Sequence, residues 1–209
     1  MANEEHVADT LVLGIGNLLW ADEGFGVRCI EALLASQVLP PQVLAMDGGT
    51  QGLYLLPYVQ QARRLIVFDA IDYGLVPGTL RLVENDAVPR FMGAKKMSLH
   101  QTGFQEVICA AELTGQCPGE MLLIGVQPEQ LEDFGGSLRP IVRARIPEAV
   151  QLAVQRLRRW GHVVTPRDNA PGRDDAPLGI GRYEAERPSA DEACRFGDPR
   201  VLDASGSQG

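Results

Sequence analysis

Four carboxylates and one imidazole stand where this 209-residue sequence could do chemistry. Asp22 and Glu23 lie in the segment GIGNLLWADEGFG (14–26), Asp47 in MDGGT, Asp69 directly after the apolar run LIVF, and His100 in MSLHQTG. Glu23, Asp69 and His100 would together supply two carboxylate oxygens and one imidazole nitrogen. That donor set suits a divalent first-row metal and leaves coordination positions open for another ligand. The chain has three histidines, and the other two, His6 and His162, fall in the N-terminal arm and after the last predicted helix. A multi-histidine centre is therefore not expected, and His100 is the candidate.

Each residue also has a simpler role. Asp22 or Glu23 at a helix start can cap free backbone N–H groups and complement the helix dipole. Asp69 can end a strand by bonding to backbone, although a carboxylate so near a buried strand needs some partner. His100 can be an ordinary loop or cap histidine, and Asp47 with Gly48 and Gly49 can build a tight turn. Their convergence favours a site, since no single member carries it.

Gly14-Ile15-Gly16 after an apolar run, with Asp47 closing the next one, imitates a dinucleotide-binding fingerprint. The imitation fails at Leu19, where the third glycine would stand, and the same loop carries two carboxylates toward the place of a pyrophosphate. Added anions make a poor anion site.

These residues need a scaffold that gathers them, and the apolar periodicity predicts one. Strands are expected at 10–16, 42–47, 64–71, 79–84 and 120–127, and helices at 26–35, 51–62, 102–115 and 146–160. Pro57 is a defect in the second of those helices. The continuous runs LIVF and MLLIGV are of the kind buried on both faces of a parallel sheet. The alternation predicts an α/β fold, a single three-layer domain with a mainly parallel twisted sheet between helices. Ligands of such sheets bind beyond the carboxyl ends of the strands, which is where Glu23, Asp47 and Asp69 fall. Residues 1–164 read as this domain. Residues 165–209, rich in Pro, Gly and charge, read as a disordered C-terminal tail.

The bulk composition narrows the partners. A formal net charge of −8 argues against nucleic acid. The four cysteines, Cys29, Cys109, Cys117 and Cys194, form no CxxC pair and read as thiols in a reducing cytoplasm, with Cys29 and Cys109 expected to pack in the core. No signal peptide and no apolar run of membrane-spanning length is evident, so a cytoplasmic protein without membrane insertion is expected, as a monomer.

In order along the chain, LVLGIGNLLWADEGFGV, MDGGTQG, LIVFDAID, PGTL, SLHQTGFQEV, IGVQPE and GGSLRP resemble the hydrogenase maturation endopeptidases, over about Leu11 to Trp160. That family trims the C-terminus of the large subunit of nickel–iron hydrogenases, and the likeness is greatest to the members serving uptake hydrogenases. The resemblance implies a twisted sheet between helices and a hydrogenase large-subunit precursor as partner. It implies that Glu23, Asp69 and His100 correspond to the family's metal-binding residues, with the nickel already inserted in the substrate; other divalent metals can occupy the site. A metal with open positions can polarise a scissile carbonyl or activate water, or it can serve for docking, so that an empty precursor is rejected. In the docking case a separate carboxylate activates water, and Asp47 at the adjacent strand end is the candidate catalytic base. The alternative is a non-catalytic, metal-dependent chaperone of the same precursor.

Overall fold

The structure, a computed structural model, describes residues 8–89, 102–168 and 180–186. Its centre is a five-stranded sheet in the order β3-β1-β4-β6-β5, built from β1 (Thr10–Ile15), β3 (Val43–Gly49), β4 (Arg64–Ala70), β5 (Leu80–Glu84) and β6 (Glu120–Val126). All neighbours run parallel except β5, which pairs antiparallel with β6. β1 and β4 are buried along nearly their whole lengths, which is why they read as unbroken apolar runs and not as alternation.

Helices cover both faces. Helix α1 (Phe25–Ser36), α4 (Pro140–Arg143) and α5 (Ile146–Arg159) close one core around Phe25, Leu33, Ile66, Phe68 and Leu157. Helix α2 (Leu56–Gln61) and α3 (Thr102–Leu113) close the other around Leu13, Leu55, Leu65, Ile108 and Leu123. The expected three-layer α/β architecture is the one observed.

Two local expectations are corrected. Pro57 is not a defect: a 3-10 turn over Gly52–Leu55 precedes α2, and Pro57 falls in the first turn of that helix, where its missing N–H would have no partner anyway. Cys29 is buried as expected, but Cys109 is exposed, on the outward face of α3. After residue 164 two short elements are described. β7 (Thr165–Pro166) pairs antiparallel with β2 (Gln37–Val38), and α6 (Ile180–Glu186) is a seven-residue helix.

The chain leaves β1 for β3 on one side, then crosses back to β4 on the other. The carboxyl end of β1 is therefore a switch point, the place where an open parallel sheet forms a crevice. His162 lies at the opposite end, with Nε2 2.7 Å from the hydroxyl of Thr10 at the start of β1. Among the described residues no helix is long and apolar enough to cross a membrane.

Candidate active site at the carboxyl edge

The loop from β1 to α1 explains its glycines without a phosphate. Gly16 has φ +135°, and a Cβ there would stand 1.8 Å from the carbonyl oxygen of Glu23. A Cβ on Gly26 would lie 2.3 Å from the carbonyl oxygens of both Ile15 and Phe68. These glycines let the first turn of α1 press against the ends of β1 and β4. That contact draws Glu23 toward Asp69.

Between them, Ala21 is held at φ +37°, a left-handed conformation that costs a non-glycine residue about 1 kcal/mol or more. The surrounding contacts hold it there. Ala21–Gly24 form a 3-10 turn that is wholly buried, and Glu23 is only 5% exposed. Asp69, in β4, is 2% exposed. Two carboxylates of adjoining elements are thus withdrawn from bulk water at one edge of the sheet.

Asp22 does something the sequence reading did not assign. The N-cap positions of the 3-10 turn and of α1 are Trp20 and Gly24, not Asp22 or Glu23. Instead Asp22 Oδ2 accepts from the backbone N–H groups of Glu129 and Gln130, each at 2.9 Å, and Oδ1 accepts from that of Arg139 at 2.7 Å. It fastens the first loop to the long loop after β6. Leu19 and Gly135 add a backbone bond of 2.7 Å, and Trp20 meets Phe134 edge to face with ring centroids 5.3 Å apart. In the same long loop Arg139 pairs with the buried Asp133 at 2.7 Å.

Two further residues shape the edge. Gln127 Oε1 accepts from the N–H groups of Tyr73 and Leu75, while its amide donates to Asp72. Tyr73 lies against Gly125, which is opposite Asp69 in the sheet. Burial, and then the charge of Asp69, push the Tyr73 phenol well above its ordinary range, so it stays protonated. The segment IGVQPE was visible as a motif. The positioning role of Gln127, however, is a tertiary fact.

Asp47 differs from the buried pair. It is exposed, at the end of β3, where Gly49 at φ +44° and a Gln51 N–H to Gly48 carbonyl bond of 3.0 Å form the expected tight turn. Crowding by protein raises its carboxyl above the ordinary aspartate value, opposed by a backbone bond from Gly49 and by the charge of Arg28. The topology therefore brings Glu23, Asp47 and Asp69 to one edge. His100 lies outside the described residues, and among the described residues no group of three or more His, Cys, Asp or Glu side chains is gathered to hold a metal. Two buried carboxylates at one sheet edge are a donor type that suits a divalent cation.

The comparisons with known proteins decide the family. A family model described as hydrogenase maturation protease matches residues 27–156. The chain belongs to the hydrogenase maturation protease family. It is 58% identical over 196 residues to the hydrogenase expression/formation protein HoxM of Cupriavidus necator, covering 92% of this chain and 97% of that one. It is 40% identical over 159 residues to the hydrogenase 2 maturation protease of Escherichia coli, covering 76% and 96%. The solved structure of the E. coli hydrogenase maturating endopeptidase HybD superposes with a TM-score of 0.71 at 40% identity, over 76% of this chain and 97% of that chain. The protein is thus a maturation endopeptidase, as the ordered motifs implied, and the α/β fold is the family's.

Proposed function

We propose that this endopeptidase removes a C-terminal peptide from the nickel-loaded precursor of a nickel–iron hydrogenase large subunit. The observation that carries the reading is the placement of Glu23 and Asp69, two buried carboxylates at the switch point of a maturation protease, with nothing in the loop that would cradle a phosphate. The nickel belongs to the substrate. Glu23, Asp69 and His100 are the residues that would hold it, and other divalent metals can take its place. When bound, the ion supplies charge that reads the loading state and can polarise the scissile carbonyl.

The chain's own residues do the rest. Asp22 keeps the loop bearing Glu23 fixed, so the Glu23 carboxylate does not have to be ordered when substrate arrives. Asp47 takes a proton from water, the water oxygen attacks the scissile carbonyl carbon, and the proton passes to the departing amine as the C–N bond breaks. An exposed base is compatible with a macromolecular substrate, which excludes water from the crevice as it docks. The working place is the cytoplasm, where the precursor is made, and the enzyme acts as a monomer without nucleic acid or membrane insertion.

Mass spectrometry of loaded and nickel-free precursor, incubated with wild type, Glu23→Ala and His100→Ala, tests this. Trimming of the loaded form alone, lost in both variants, is the expected result. Binding without trimming under every condition would replace it with the chaperone reading.

A further inference from the structure

Among the described residues, no side chain of helix α6 belongs to either apolar cluster. It is fastened to the body through Tyr183. The Tyr183 hydroxyl donates to the carbonyl of Gly136 at 3.3 Å, and the ring lies under the guanidinium of Arg28, 5.8 Å from its centroid. Gly136 belongs to the loop that Asp22 clamps at the carboxyl edge, and Arg28 sits in the first turn of α1, which leaves the same edge. The C-terminal helix is therefore docked beside the site, while Gly181, Arg182 and Ala185 remain exposed on it.

The relatives show that the fold does not need this helix. The family model ends at residue 156. The E. coli hydrogenase 2 maturation protease has 96% of its length matched by 76% of this chain, which leaves too little to supply an equivalent extension. The match to the C. necator protein covers 92% of this chain and so must enter the segment after residue 164. An element that the fold of a relative does without, seated beside this edge, is placed to act there.

We propose that α6, anchored by Tyr183, is an added wall of the substrate-docking face that contacts the hydrogenase large-subunit precursor. This deepens the proposed function and rests on it for the identity of the partner. A Tyr side chain at such a junction combines broad apolar contact with a polar tip, the combination that dominates protein interfaces. Recognition by an exposed wall should act on binding and leave the chemical step nearly unchanged.

The test uses the full-length enzyme and labelled nickel-loaded precursor, with dissociation constants from fluorescence anisotropy, trimming by mass spectrometry and melting by circular dichroism. Tyr183→Ala, which frees the helix from the body, should weaken binding about tenfold. Tyr183→Phe, which keeps the ring under Arg28, should weaken it less. Ala185→Arg enlarges an exposed position without touching the anchor and should also weaken binding while melting as wild type does. Dissociation constants within about twofold of wild type for both Tyr183→Ala and Ala185→Arg would overturn the proposal. Wild type that binds but does not trim, with the variants weakened, would refute the peptidase reading and leave the docking wall standing.

Discussion

Asp22 and Glu23 are adjacent, equally charged and both buried, whereas Asp47 stands exposed one strand away. Asp22 is turned into the protein, where three backbone N–H groups consume its acceptor capacity. Glu23 and Asp69 are buried at the same edge of the sheet, and Asp47 meets solvent. The same chemical group is therefore a backbone clamp at Asp22, while the roles proposed for Glu23, Asp69 and Asp47 are cation partner and base. Burial by itself does not mark catalysis, since the buried Asp22 is bonded to three backbone N–H groups and ties two loops together.

Replacing members of this set separates the roles. The largest loss of function is expected from Asp69→Asn and Glu23→Ala, which should take processing of loaded precursor at least about a hundredfold below wild type while melting stays near wild type; removing ligating carboxylates acts on affinity and rate together. A variant of either residue that trims at the normal rate would end the assignment. Asp47→Asn should lower kcat by about a hundredfold or more, the usual loss of a general base, with stability altered by less than about 0.5 kcal/mol because the side chain is exposed. A rise in KM alone would move Asp47 from chemistry to docking.

Asp22→Ala should invert that pattern. Three donors lose a charged acceptor, and the expected cost is about 3 kcal/mol in urea denaturation. Loss of activity without loss of stability would show instead that Asp22 touches substrate.

The pH dependence is a smaller effect. Crowding raises the Asp47 carboxyl, so on acidification it takes up its proton earlier than an ordinary aspartate. A base must be unprotonated, so activity should fall through an acid limb above the ordinary aspartate range and persist on the alkaline side. A limb at or below that range would place the titrating group elsewhere. The smallest contrast is between the thiols: Cys29→Ser puts a hydroxyl into the core and should cost about 1 kcal/mol or more, whereas the exposed Cys109→Ser should change stability by less than about 0.5 kcal/mol.

Much of the architecture was legible in the chain. LIVF and MLLIGV are continuous because β4 and β6 are covered on both faces, and the strand-helix alternation required a mainly parallel sheet. The carboxyl ends of those strands fixed which acids could meet, and the order of the motifs named the family. Cys109 was misassigned because a helical pattern gives the period of the apolar stripe but not the orientation of each position outside it.

Other features had no local signature. Nothing in the ADEG sequence distinguishes a clamp from a ligand, because the three N–H groups that occupy Asp22 come from Glu129, Gln130 and Arg139, more than a hundred residues away. The docking of Tyr183 on Gly136 and Arg28 is equally non-local. Periodicity, turn residues and strand ends are short-range properties that the sequence writes directly. Which buried carboxylate is bonded by distant backbone depends on loops that meet only after the sheet has assembled.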